Sequence, residues 1–152
     1  MVSKTKQFEL RVLLSVTTGR LLTKGKGEVD NGIGDIYDLL GWMTNDSPFT
    51  HQLPRFADEC KPWLLRWFPE LLPLTGDVIA FCNGLEGMTR DQIGAAIDGF
   101  VWGLGERIGQ QSFDVPRIPA DDHDRKDPID ELVAMRGTDE AIVIVESEET
   151  NG

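Results

Sequence analysis

The sequence is poor in the residues on which most enzyme chemistry draws. In 152 residues there are two cysteines, two histidines and one tyrosine. Cys60 and Cys82 make no disulfide framework and stand in no CxxC or Cys/His spacing, so both are expected to be reduced core thiols. No GxGxxG follows a strand, and no GxxxxGK(S/T), GxSxG or HExxH is present. These absences leave nucleotide binding through the common folds unsupported, along with the familiar serine-hydrolase and zinc-protease designs. Long apolar runs are missing too. No window approaches the roughly 18–20 apolar residues of a membrane span, and the start "MVSKTKQFEL" lacks the apolar middle of a signal peptide. A soluble cytoplasmic protein is therefore expected, with no membrane contact.

Basic charge is also scarce, with 15 Lys and Arg against 26 Asp and Glu and a net charge of −11. The excess is uneven. Residues 121–152 hold eleven acids against three bases, and the rest of the chain is nearly balanced. Affinity for a phosphate backbone comes from lysines and arginines that displace counterions, so direct nucleic-acid binding is not expected. A protein with a basic surface is the expected partner. The length suits one domain, expected over residues 5–146, with residues 1–4 and 147–152 as flexible termini.

Along the chain, "FELRVLLSVTT" alternates like a strand and also shares a helical face. Gly19 after it favours a helix closed by a left-handed glycine. "TKGKGEVDNG" reads as an exposed loop. Ile36, Leu39, Leu40 and Met43 then recur at helical spacing behind Asp35. In "FTHQLPRFADECKPWLLRWF" (49–68), Leu53, Phe56, Cys60, Trp63, Leu64 and Trp67 fall on one helical face and Asp58, Glu59, Lys61 and Arg66 on the other. Pro62 predicts a kink or two consecutive helices there. Residues 77–85 suit a short helix or a strand. Thr89 and Gln92 form a capping box for a helix reaching about Ile108. That helix carries five glycines. Gly99 and Gly103 would serve either tight packing inside the domain or close approach of a partner helix. Of the four tryptophans, Trp42, Trp63, Trp67 and Trp102, three are expected in the core; an exposed one beside Arg66 or Arg107 would be an interface anchor.

Beyond Gln110, "FDVPRIP" is extended and "ADDHDRK" is a polar connector. Asp127 caps a helix opening with Pro128, with Ile129, Leu132 and Val133 as one face and Gly137 as its stop. "AIVIV" (141–145) has strand composition, and residues 113–118 are its expected partner. The expected fold class is thus α+β, mainly α, with four or five helices and a small C-terminal β element over 113–118 and 141–145.

Candidate chemistry is sparse. Asp121, Asp122, His123 and Asp124, with Asp127 nearby, offer oxygen and imidazole ligands; adjacent side chains seldom converge on one centre, so no metal and no cofactor is expected. His51, at a helix entry, suits either a general base or a histidine bonded to a loop carbonyl.

Four blocks, "SVTTGRLL" (15–22), "IYDLLGWMTND" (36–46), "THQLPRFADECKPWLL" (50–65) and "HDRKDPIDELVAMRGTDEAIVIV" (123–145), resemble in order and spacing a family of small phage and prophage domains of unknown function. The resemblance leaves residues 70–120 poorly matched. It implies an accessory protein of a phage or integrated element and brings no activity or catalytic residues. It also implies that the third and fourth blocks meet in space, which brings His51, Arg55, His123 and Asp127 forward. The function read from all this is a non-enzymatic module that binds a host or phage protein through Asp121, Asp122, Asp124 and their neighbours. Two rivals stand beside it: a metal-dependent or histidine-assisted hydrolase using His51 and His123, and a virion or replication-complex subunit.

Overall fold

The computed structural model describes residues 4–23 and 32–136. Its elements run β1 (Thr5–Glu9), α1 (Leu10–Thr18), α2 (Ile33–Thr44), α3 (Leu53–Trp67), α4 (Thr75–Asn83), α5 (Arg90–Ile108), β2 (Ser112–Pro116) and α6 (Pro128–Arg136). Short 3-10 turns at Thr50–Gln52, Pro69–Leu74 and Ala120–Asp122 lie between them. The described residues are mainly helical, with a two-stranded antiparallel sheet. Among the described residues six α-helices replace the four or five expected, because the two ambiguous stretches contribute α1 and α4, even though Pro62 does not divide α3.

The first ambiguity has a physical cause. Leu10, Val12, Leu13, Leu14 and Val16 are all buried, along with Ser15 and Thr17, and only Arg11 and Thr18 stay partly exposed, so the polar strip of Arg11, Ser15 and Thr18 is too narrow to set a helical period apart from the alternation. Gly19 closes it with φ 74°, as its position implied, and its amide bonds the Ser15 carbonyl. The residues just before are extended: Phe8 pairs with Phe113 in the β1–β2 register, both buried. The strand read over 113–118 pairs with residues 5–9; its expected partner, 141–145, lies outside the described residues. The 24–31 loop and Gly137 lie outside them as well.

Around α1 pack α2, α3, α4 and α5, sharing one apolar cluster that includes Leu39, Met43, Phe56, Leu64, Val78 and Leu104. In α3 the residues Phe56, Cys60 and Leu64 face inward as their spacing predicts. The helix runs unbroken through Pro62; the carbonyl that Pro62 leaves without a donor belongs to Asp58, on the exposed side. Cys60 is fully buried, and burial pushes its thiol up to about 12, while Cys82 is partly buried and shifted the same way. Trp42, Trp63 and Trp67 pack against the core, and Trp102 stands out, 61% exposed.

The capping box of α5 is formed, with the Gln92 amide donating to Thr89 Oγ1 at 3.2 Å and the Thr89 amide to Gln92 Oε1 at 2.9 Å. Its glycines divide. A side chain at Gly105 would run into Gln111, whereas one at Gly99 or Gly103 would meet nothing within 4 Å. Tight packing inside the domain therefore accounts for neither Gly99 nor Gly103.

After β2 the chain crosses back over α2 and α3. Ile118 donates its amide to the Met43 carbonyl, Trp42 Nε1 donates to the Val115 carbonyl at 2.8 Å, and Arg117 stacks over the Trp42 ring at 4.1 Å. These contacts lay residues 117–127 as a strap that delivers α6 to the first turns of α3. Asp127 Oδ1 accepts the amides of Ile129 and Asp130, the expected cap. The face formed by Ile129, Leu132 and Val133 is not buried, however; Glu131 points inward instead.

Candidate functional site

The strap and α6 meet α3 through charge. Glu131 is 6% exposed and receives a two-pronged contact from Arg55, Nε to Oε2 at 2.5 Å and Nη2 to Oε1 at 2.8 Å. Gln52 Nε2 also donates to Glu131 Oε1, at 2.8 Å, while Gln52 Oε1 accepts the Phe49 amide. The Arg55 bonds, chiefly, hold the Glu131 carboxyl down at about 2, with Gln52 and Lys126 pulling the same way against burial. The same pairing raises Arg55 above the ordinary arginine range. Arg55 reaches further, donating from Nη1 to Glu59 Oε2 at 2.7 Å and to the Asp124 carbonyl. Spacing explains part of this: Arg55 and Glu59 are one turn apart on α3.

Glu59 passes the network to His123. The imidazole is 3% exposed, its edge against the Phe56 ring, with Nδ1 at 2.5 Å from Glu59 Oε1 and Nε2 at 2.8 Å from Asp46 Oδ2. Each ring nitrogen thus meets a carboxylate oxygen. Burial pushes the Asp46 carboxyl up, but hydrogen bonds from His123 and the Ser47 amide, together with the nearby charge of Arg125, outweigh it and leave the group below its ordinary value. Arg125 bridges to Asp46 Oδ1 at 3.0 Å. Three carboxylates (Asp46, Glu59, Glu131) thus face two arginines (Arg55, Arg125) and the His123 ring. Among the described residues no buried side-chain polar atom lacks a partner.

The residues singled out by sequence fall into three groups. His51, Arg55 and Asp127 line one cleft of about 680 Å³ between the start of α3 and α6, together with Pro54, Asp58, Asp130 and Met135. His51 is bonded through Nε2 to the Pro128 carbonyl at 2.7 Å, so blocks 50–65 and 123–145 do touch. His123 and Asp124 belong to the ionic network on the inner side of Arg55, the latter through its backbone, while its carboxylate pairs with Lys126 at 3.3 Å. Asp121 and Asp122 lie apart, exposed in the 3-10 turn.

Sequence reasoning missed Asp46, Gln52, Glu59 and Glu131. Glu131 looks like an ordinary first-turn acid and Glu59 like part of a wet helix face; only the one-turn spacing of Arg55 and Glu59 was a signal. Chemically, His123 presents no free nitrogen, and among the described residues no group of three or more His, Cys, Asp or Glu side chains is arranged to hold a metal ion. Nor is any described helix long and apolar enough to cross a membrane.

Residues 8–74, from the end of β1 through α3 and the Pro69–Leu74 turn, match a family described as a domain of unknown function, DUF7736. No curated protein matches the chain, and no solved structure does. The matched stretch ends before α4, α5, β2 and the strap, and it contains Asp46, Arg55 and Glu59 of the ionic site but not His123 or Glu131.

Proposed function

We propose that the chain is a non-enzymatic accessory protein of a phage or prophage that works in the host cytoplasm, binding and modulating a host protein through its acidic side. One observation carries this. The strap spends its cations inward and sideways, Arg125 on Asp46 and Lys126 on Asp124, while Asp121, Asp122 and Asp130 form no ion pair among the described residues. What remains outside is a negatively charged surface. Such a surface steers a basic protein by long-range attraction, giving an association rate that falls with salt. The test is capture from host lysate in low salt and in about 0.5 M salt, where the screening length shrinks to a few ångströms. A protein bound only in low salt, and lost with Asp121→Asn/Asp122→Asn/Asp124→Asn, is the expected result. A partner held equally by that variant rejects the reading.

The hydrolase reading needs a histidine free to take a proton from substrate. Both nitrogens of His123 are occupied by carboxylates, and His51 Nε2 by a carbonyl. The assembly reading has one observation in its favour: Trp102 is exposed beside the uncovered Gly99 and Gly103. Light scattering that finds a monomer resistant to concentration would discard it.

A further inference from the structure

Two helical faces wall the cleft of about 680 Å³ beside the ionic network. One runs through His51, Pro54, Arg55 and Asp58, at i, i+3, i+4 and i+7, and the other through Asp127, Asp130, Ala134 and Met135 at the same kind of spacing. Where the walls meet, Arg55 grips Glu131. The cations of this lining are committed. Four of the five Arg55 N–H groups go to Glu131, Glu59 and the Asp124 carbonyl, and Lys126 pairs with Asp124. Asp58 on one wall and Asp130 on the other are exposed, and among the described residues neither forms an ion pair. Pro54, Ala134 and Met135 give the same cleft an apolar surface, with Met135 57% exposed. We infer that this cleft docks a short basic segment of the partner protein, with an arginine set against Asp58 and Asp130 and an apolar neighbour against Pro54 and Met135.

The lining itself selects this occupant. Four carboxylates, those of Asp58, Asp127, Asp130 and Glu131, outnumber the side chains of Arg55 and Lys126, so an anionic lipid surface or a phosphate is repelled. A hydrated metal ion would leave the apolar wall unused, and among the described residues no group of three or more ligands is arranged to hold one. A guanidinium suits both halves. It is planar and weakly hydrated, its fork of donors fits a carboxylate, and its face lies well against apolar surface, whereas the ammonium of lysine is compact and keeps its water. The space is larger than one side chain needs, which makes room for the residue beside the arginine.

The inference rests on the proposed acidic-surface binding, and the test separates the two. The probe is a short end-blocked peptide of alternating arginine and leucine, titrated calorimetrically at physiological salt. Two controls replace every arginine by citrulline, its uncharged isostere, or every leucine by serine. The arginine–leucine peptide should bind about tenfold tighter than either control, and Asp58→Asn/Asp130→Asn should weaken it about tenfold, as expected for charge-assisted hydrogen bonds. Met135→Ser should remove the preference for leucine over serine and keep that for arginine over citrulline. All three positions are exposed, so the unfolding midpoints should match the parent, which shows that lost binding is not lost structure. Loss of peptide binding in Asp121→Asn/Asp122→Asn/Asp124→Asn with none in Asp58→Asn/Asp130→Asn overturns the cleft and leaves acidic-surface binding standing. Equal binding of all three peptides overturns the cleft, as does self-association of the free protein that Asp58→Asn/Asp130→Asn abolishes. If no peptide binds, the cleft reading fails alone where the low-salt capture from lysate succeeds, and both readings fail where it does not.

Discussion

Helices α1 and α6 are nine residues each, too short to be stable alone, and the protein holds them by opposite means. α1 buries its leucines and valines where water is excluded and leaves only Arg11 and Thr18 at the edge. α6 turns its one buried side chain, a carboxylate, toward an arginine and leaves its isoleucine and valine outside. Burial of α1 draws on a non-directional force, so sliding or rotating it costs contacts only gradually. The α6 clamp is directional, two parallel N–H···O bonds that fix both position and rotation. The difference teaches that the interior is fastened by packing and the strap by charge. One should therefore answer to cavities and the other to pH.

The largest expected effect breaks the clamp. Arg55→Ala leaves Glu131 buried without its cation and removes one of the partners of Glu59, at a cost of about 3–5 kcal/mol. Amide hydrogen exchange should rise first in α6 and the strap, before α1. Leu14→Ala is the matched control: it should cost a similar amount, about 2–5 kcal/mol, through a cavity, but lower protection throughout the protein. If the two variants gave the same exchange pattern, the distinction between the regions would fail.

Acid sharpens the same contrast. Glu131 titrates near 2 when folded against an ordinary 4.5, so its contribution is complete above about pH 4.5 and is lost as the pH falls toward 2. Asp46, also depressed, acts in the same direction. NMR signals of α6 should therefore shift or broaden over that range before those of α1, and Glu131→Gln should abolish the difference. Coincident loss of both helices would show that the strap is not separately held.

The smallest effect concerns the glycines of α5. Gly99→Ala adds a methyl group in open space inside a helix and should stabilise the protein by up to about 1 kcal/mol. Gly105→Ala should gain less or lose, because the new carbon would sit 2.1 Å from the Gln111 carboxamide and displace it from its bond to the Trp102 carbonyl. Thermal midpoints of the two variants check the sign.

Sequence made the caps and single-faced helices legible: Thr89 and Gln92, Asp127, Gly19, and the row from Ile36 to Met43. It failed where the environment is uniform or reversed. α1 stayed ambiguous because its polar strip is no more than Arg11, Ser15 and Thr18, and β1 was hidden because Phe8 continues the same apolar run. The face of α6 was assigned inward because apolar spacing normally points there, and nothing local reveals that Arg55, 76 residues earlier, waits for Glu131. His51 shows the opposite case, a chemistry-like residue that bonds a carbonyl. The ionic site as a whole was half legible: Arg55, His123 and Asp124 were singled out, but Asp46, Glu59 and Glu131 acquire a role only through contacts more than 60 residues apart.

The pairing of Thr5–Glu9 with Ser112–Pro116 sets an order of events during synthesis. The first strand leaves the ribosome more than a hundred residues before its partner exists. At roughly 5–20 residues per second it remains single for about 5–20 s. Closing so long a loop carries an entropic cost that the helices between can reduce by assembling first. The sheet is then the last stitch rather than the seed. The lysine and glutamate at positions 6 and 9 are suited to that interval, since charged side chains discourage a waiting strand from pairing with a neighbouring chain.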